Sequence, residues 1–121
     1  MANIGRSAHP NALPNYQNAV IPSEKLEKYA LSPDHPVGKH KAVVFKSALG
    51  FDQSNWQLLE KSILDELPYH DAGSGETGPW GIKYNVVLPI TGPNGRTAEV
   101  LTVWIIRPGT DYPSLVTTYV Q

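Results

Sequence analysis

Cysteine is absent from the 121-residue sequence. Its absence excludes thiolate metal sites, iron–sulfur clusters, a cysteine nucleophile and a disulfide scaffold, and it leaves oxidising and reducing compartments equally open. An excess of charge of either sign is also missing: Lys and Arg number 10 against 11 Asp and Glu, and the isoelectric point lies near 6.4. Proteins that coat nucleic acid draw their affinity from many Lys and Arg contacts to phosphate, so a polyanion site in this chain has to be local. No apolar run approaches the roughly 20 residues of a membrane span, and the polar start Met1-Ala-Asn-Ile-Gly-Arg-Ser7 is unlike a secretory signal. The expectation is a soluble domain, or one delivered as part of something larger.

What is present suffices for one core. A chain of this length buries roughly two-thirds of its unfolded surface, and 40% of its residues are hydrophobic. Residues 1–20 are rich in Asn, Pro and Ala without an apolar period, which predicts an extended N-terminal arm, and 21–121 read as a single domain. Ser23 is placed to cap a short helix through about Leu31, with Leu26 and Ala30 on its inner face. After the break at Ser32-Pro-Asp-His-Pro36, Asp34 or His35 can cap a second helix whose buried stripe is predicted as Val37, Val44, Phe45 and Ala48, with Gly50 as its left-handed stop. Asp52 caps a third helix to about Leu67, with Phe51 and Trp56 as a hydrophobic staple and Trp56, Leu59, Ile63 and Leu67 on its apolar face.

From Pro68 to Gly81 the chain reads as a Gly-rich loop, and beyond it the period changes from helical to alternating. Ile82, Tyr84, Val86, Leu88 and Ile90 form one face of a strand, and Asn94-Gly95 supplies a hairpin turn. The next strand, Thr97 to about Arg107, is so apolar that it is expected to be central and buried on both faces, and Ser114–Val120 forms the last. Helices followed by an antiparallel meander define an α+β fold with the helices packed on one sheet face, leaving the other face open.

Several motifs fail their structural context. Gly73-Ser-Gly-Glu-Thr-Gly78 has the spacing of a dinucleotide loop, but a helix precedes it and Pro79 follows, so no phosphate-binding turn is expected. Glu99 lacks the E-x-K partner of a two-metal nuclease, and His35 and His40 lack zinc-ligand spacing, so no metal or cofactor is expected. Charge is nonetheless uneven. From Asp34 to Lys46, Lys39, Lys41 and Lys46 stand against Asp34 alone, a balance of +2 that protonated His35 and His40 would raise to +4. From Asp52 to Glu76 six acids stand against Lys61 alone, a balance of −5.

His35, His40 and Lys41 fall around the predicted start of the second helix, where free N–H groups and the helix dipole favour a phosphate. A neutral histidine can take a 2′-hydroxyl proton, and a lysine can stabilise the charge that builds on phosphoryl oxygens. A capping histidine beside solvated lysines explains the same residues without chemistry. On the last strand Leu115, Thr117 and Tyr119 alternate with Val116, Thr118 and Val120; the valines suit the helix-covered side, which puts Thr117 and Tyr119 on the open face, where Lys83 joins them. Trp104 joins this face as a base-stacking residue if Leu101, Val103 and Ile105 point inward, and Arg107 at the strand end is a candidate phosphate clamp. Lys39 extends the cationic patch. Thr and Tyr are also simply good strand formers.

Leu13-Pro-Asn-Tyr-Gln-Asn-Ala-Val20, His35-Pro-Val-Gly-Lys-His-Lys41, Asn55-Trp56, Gly81-Ile-Lys-Tyr84, Gly92-Pro-Asn-Gly-Arg96, Val103-Trp104 and Val116-Thr-Thr-Tyr119 together resemble an uncharacterised bacterial domain family over about residues 13–120. That family occurs as stand-alone proteins and as the C-terminal module of polymorphic and contact-dependent toxins. The layout also resembles the barnase/EndoU/colicin/RelE-like ribonuclease fold, a fold-level analogy. The resemblance implies metal-independent cleavage of RNA, such as tRNA, through a 2′,3′-cyclic phosphate. It makes His35 general base or acid and Lys41 the stabiliser of the phosphorane. Lys83, Thr117 and Tyr119 would hold the phosphate or protonate the leaving oxygen; Lys39, Trp104 and Arg107, read from their positions in the chain, are further candidates to bind substrate. His40 stands where that pattern carries an aromatic residue. The resemblance further implies a small immunity or antitoxin protein as partner, no membrane association, and action in the cytoplasm of the producing cell or of a target cell. The alternative is a non-enzymatic protein- or nucleotide-binding adaptor.

Overall fold

A computed structural model of the chain describes residues 6–121; the first five residues of the predicted arm lie outside the described residues. The chain forms an α-helical turn α1 (Ser23–Lys25) that continues as a π turn (Leu26–Ala30), helices α2 (Lys39–Leu49) and α3 (Trp56–Glu66), and strands β1 (Ala72–Gly78), β2 (Gly81–Thr91), β3 (Thr97–Ile106) and β4 (Ser114–Val120). The strands are antiparallel neighbours in the order β1-β2-β3-β4. The fold is α+β, with the helices packed on one face of a meander, as the change of period predicts.

Register shows which residues look into the core. Val86 pairs with Thr102, Leu88 with Val100 and Thr102 with Thr118, so these side chains share the helix-covered face. There they pack with Phe45, Leu49, Leu59, Ile63 and Leu67 from the helical layer. The opposite row, Asn85–Val103–Thr117, lies on the open face, with Lys83 two residues away on β2 and Tyr119 two away on β4.

Four expectations are corrected. The stretch after Pro68 is not a loop throughout: Ala72–Gly78 is an edge strand, because the free edge of β2 offers a backbone ladder that pairs glycines as well as any other residue. β3 is central, but its outward side chains Leu101 and Val103 are only half-buried, so it is not covered on both faces. Trp104 is fully buried in the core, its indole N–H donating to Thr102 Oγ1 at 2.8 Å, and so cannot stack a base on the open face. Leu115 is buried as well, because the β3–β4 register shifts at Val116, where Val103 pairs with Thr117 but Trp104 with Leu115. The bulge breaks the alternation from which Leu115 was assigned to the open face.

The helices begin differently from the prediction. Ser23 makes no capping bond; Pro22 occupies the cap of α1. α2 starts only at Lys39, and its buried residues are Ala42, Phe45 and Leu49, leaving Val37 and Val44 exposed. Its stop is as expected, with Gly50 at φ 83° and its N–H bonded to the Lys46 and Phe45 carbonyls. Asp52 accepts from the Ser54 N–H, and the Asn55 side chain accepts from the Asp52 N–H, closing a capping box before α3. The Ser54 hydroxyl and N–H hold the Asp52 carboxyl below its ordinary value.

The arm is tied to the domain. The His9 N–H donates to the Pro68 carbonyl, Ala72 N–H to Asn11, and Leu13 is fully buried. Val20 pairs with Ser114 at the start of β4. Arg6 lies over the Tyr69 ring at 3.7 Å and bonds Glu66. Burial raises the Glu66 carboxyl, but bonds from His70 and Arg6 outweigh it, so its pKa falls below the ordinary value.

Candidate functional site

The predicted residues of α2 and β4 meet where α2 packs against the outer strand. Lys41 Nζ donates to Thr117 Oγ1 at 2.8 Å, although the two residues are 76 positions apart. The same ammonium lies 4.9 Å from the centroid of the Tyr29 ring and 5.4 Å from that of Tyr119. Tyr29 also meets His35 edge to face, with ring centroids 4.4 Å apart. His35, Lys41, Thr117 and Tyr119 thus fall in one cluster whose hub is Lys41 and whose connecting residue is Tyr29.

Local backbone geometry builds this hub. The π turn, closed by the Leu31 N–H to Leu26 carbonyl bond, carries Tyr29. Gly38 approaches it so closely that a Cβ there would stand 2.2 Å from the Tyr29 carbonyl oxygen. Only glycine permits the His35–Gly38 turn to lie against the π turn, which is what sets His35 against Tyr29. Tyr29 was not among the sequence candidates. Its aromatic ring three residues before the predicted break was the available signal, but a π turn rotates a side chain off the α-helical phase used to read such segments.

The protonation pattern of His35 is set by the same turn. Its Nδ1 accepts the Val37 N–H at 3.0 Å and the Gly38 N–H at 2.9 Å. A ring nitrogen that accepts two backbone bonds carries no proton, so in the neutral ring the proton sits on Nε2. His35 is arranged to cap the turn and to donate from Nε2. It is not arranged to accept a substrate proton there. His40 is different: it is exposed, makes no hydrogen bond among the described residues, and lines a shallow pocket of about 280 Å³ together with Lys41, Val44, Tyr119 and Val120. Of the two histidines, His40 is the one whose ring makes no hydrogen bond among the described residues.

Lysine has three donors and no acceptor. One donor is committed to Thr117, which orients the ammonium; two remain for an anion. α2 carries no acidic residue, so Lys39 adds to the local positive potential, while Lys46 lies toward Asp52. Lys39 stands exposed at the first position of α2. The described residues gather no group of three or more His, Cys, Asp or Glu placed to hold a metal ion.

The remaining candidates lie elsewhere. Lys83 shares the open face with Thr117, but two strands away, and its Nζ lies 5.7 Å from the Trp80 ring. Arg107 is exposed just beyond β3. Trp104 is in the core. Among the described residues no helix is long and apolar enough to cross a membrane.

No curated protein and no solved structure matches the chain. Residues 12–121, which hold all the helices, the whole sheet and every clustered side chain, match the model of a domain of unknown function (DUF6883), and the chain belongs to that family.

Proposed function

We propose that this domain is a metal-independent endoribonuclease of the toxin type, acting on structured RNA such as tRNA. The observation that carries the reading is the Lys41 ammonium, close to two tyrosine rings and bonded to Thr117, beside a shallow, mostly apolar pocket that His40 and Tyr119 also line. A fixed cation with unused N–H groups is what a phosphodiester needs as negative charge builds on its oxygens during in-line attack.

In this reading a His40 nitrogen takes the proton from the 2′-hydroxyl as O2′ bonds to phosphorus. The P–O5′ bond breaks, and the leaving oxygen receives the Tyr119 phenol proton, which solvent replaces. Lys41 holds the phosphoryl oxygens. His35 fixes the turn and the Tyr29 ring, and its Nε2–H is available to the phosphate. The products are a 2′,3′-cyclic phosphate and a 5′-hydroxyl. The near-neutral charge of the chain is compatible with this chemistry because the positive potential is concentrated on α2.

Incubation of the purified protein with tRNA in excess EDTA tests the proposal. Wild-type protein is expected to give cyclic-phosphate ends and Lys41→Ala protein none; absence of cleavage by wild type overturns it. A small immunity protein is the partner this function calls for, and it would act by covering the α2 edge.

One observation favours a second reading, a non-enzymatic adaptor. Val43 and Val44 on the basic helix α2 are 64% and 42% exposed, and Val37 just before it is 61% exposed. Expression in cells separates the two. The nuclease reading expects a growth defect that Lys41→Ala removes, whereas the adaptor reading expects no defect in either case.

A further inference from the structure

At the end of the sheet where β1 turns into β2, an exposed tryptophan is set into the backbone. Trp80 is 45% exposed in the turn between Gly78 and Gly81, which pair across the hairpin. Its ring folds back over Gly78, where a Cβ would lie only 2.4 Å from Cη2 and 2.6 Å from Cζ2 and Cζ3. Any side chain at position 78 would dislodge the ring. The glycine therefore fixes an aromatic platform that a freely rotating surface tryptophan would not provide.

One cation lies beside the ring, and a second is rooted close to the turn. Lys83 Nζ is 5.7 Å from the ring centroid. Arg107 is reached through Gly81, whose built Cβ would be 3.0 Å from the Arg107 Cα, so the exposed arginine starts beside the residue that follows Trp80. The Arg107 carbonyl accepts both the Thr110 N–H and its hydroxyl, which fixes the turn behind it. The nearest carboxylates along the chain, Glu76 and Asp111, form no ion pair with either cation among the described residues. A flat hydrophobic ring with the Lys83 ammonium beside it and an exposed arginine rooted nearby suits a base stacked on the ring with its phosphate held next to it.

The platform also connects to the Lys41 site. Lys83 and Thr117 lie on the same open face, two strands and two residues apart. At about 4.8 Å per strand and 3.3 Å per residue their backbones are separated by about 12 Å. Between them the face presents Asn85 and Val103, with no helix over it.

We propose that Trp80, Lys83 and Arg107 form a base-stacking subsite for single-stranded RNA, which leads the strand across the open sheet face to the Lys41 cluster. This rests on the ribonuclease reading for the identity of the ligand, but concerns binding and not cleavage. A base that stacks on Trp80 displaces the Lys83 ammonium, which then pairs with that nucleotide's phosphate. Because every base has a π face, the subsite is tolerant of sequence.

The test uses a 2′-O-methyl oligoribonucleotide of six residues, which binds without being cleaved. Wild-type protein should show quenched tryptophan fluorescence on titration. Trp80→Ala should weaken binding by roughly 5- to 150-fold, Gly78→Val should weaken it in the same direction by moving the ring, and Trp80→Phe should retain most of the affinity. Lys83→Ala and Arg107→Ala should lower the dependence of affinity on salt. Inorganic polyphosphate serves as the anion-only control: if it competes equally and the oligonucleotide causes no quenching, the patch holds phosphate without stacking and the proposal is overturned. Equal binding by wild type, Trp80→Ala and Gly78→Val also overturns it, while tRNA cleavage by wild type and not by Lys41→Ala would leave the ribonuclease reading standing. If the wild type neither binds the oligonucleotide nor cleaves tRNA, both fall.

Discussion

Helices α2 and α3 have the same length of 11 residues and pack on the same sheet, yet they are built on different terms. α3 follows a 3-10 turn closed by a capping box, buries Leu59 and Ile63, and carries the Lys61–Asp65 pair alongside an exposed Leu58 on its outer side. α2 has no side-chain cap, no acid in its sequence, and valines facing outward. What holds it is one buried stripe and the contact from Lys41 to Thr117. Departures from local helix rules mark places where something besides stability is being selected. Here they coincide with the cluster that can hold an anion.

The contrast can be broken at the core first. Phe45→Ala in α2 should cost about 3–5 kcal/mol and Ile63→Ala in α3 about 2–5 kcal/mol in chemical denaturation, since both side chains are fully buried. A much smaller cost for Phe45 would mean that α2 is not anchored by its stripe. Next comes Lys41. Its replacement by Ala should reduce RNA cleavage by about 10²- to 10³-fold, with thermal unfolding moved far less than by the core variants.

The acid limb of stability sharpens the difference in capping. The Asp52 carboxyl is held below its ordinary value of 3.8, so its contribution is complete above the unfolded value and is lost as pH falls through the folded one. Asp52→Asn should therefore flatten the fall in melting temperature at acid pH, an effect read by comparing wild type and variant between neutral pH and about pH 3. Gly38, which leads α2, provides no such carboxylate. Smallest of all, Val43→Ala on the outer face of α2 should change unfolding free energy by no more than about 0.5 kcal/mol, because the side chain is already in water.

Much of the fold was legible because strong local signals agreed with tertiary need. The alternation in Val86-Val-Leu-Pro-Ile90, the Gly50 stop and the Asp52 cap each stand where periodicity and capping chemistry put them. β1 was not legible: Gly73, Gly75 and Gly78 give no alternation, and the strand exists because β2 had an edge to fill. Trp104 was misplaced because β3 is apolar at nearly every position, and a period of two then carries no phase. Val37 was misplaced because α2 starts only at Lys39, and Val44 because the buried stripe runs through Ala42, Phe45 and Leu49, which turns the position before Phe45 outward.

The site was legible in part. Lys41, Thr117 and Tyr119 were each singled out in the sequence and come together in the structure, but that α2 would reach residues of the open face was not legible; His35 joins them through Tyr29. The different surroundings of the two histidines were not in the sequence. They depend on two backbone N–H groups that point at His35 Nδ1, a consequence of a turn conformation and not of residue type.

That distinction supplies the most direct measurement. His35→Ala and His40→Ala proteins, both checked for folding by thermal melts, are incubated with tRNA in EDTA and the cleaved ends analysed. His40→Ala should lose cyclic-phosphate formation while melting like wild type. His35→Ala should melt lower yet retain measurable cleavage. Wild-type rates from His40→Ala, with no product from a folded His35→Ala, would contradict the assignment of proton transfer to the His40–Lys41 pair.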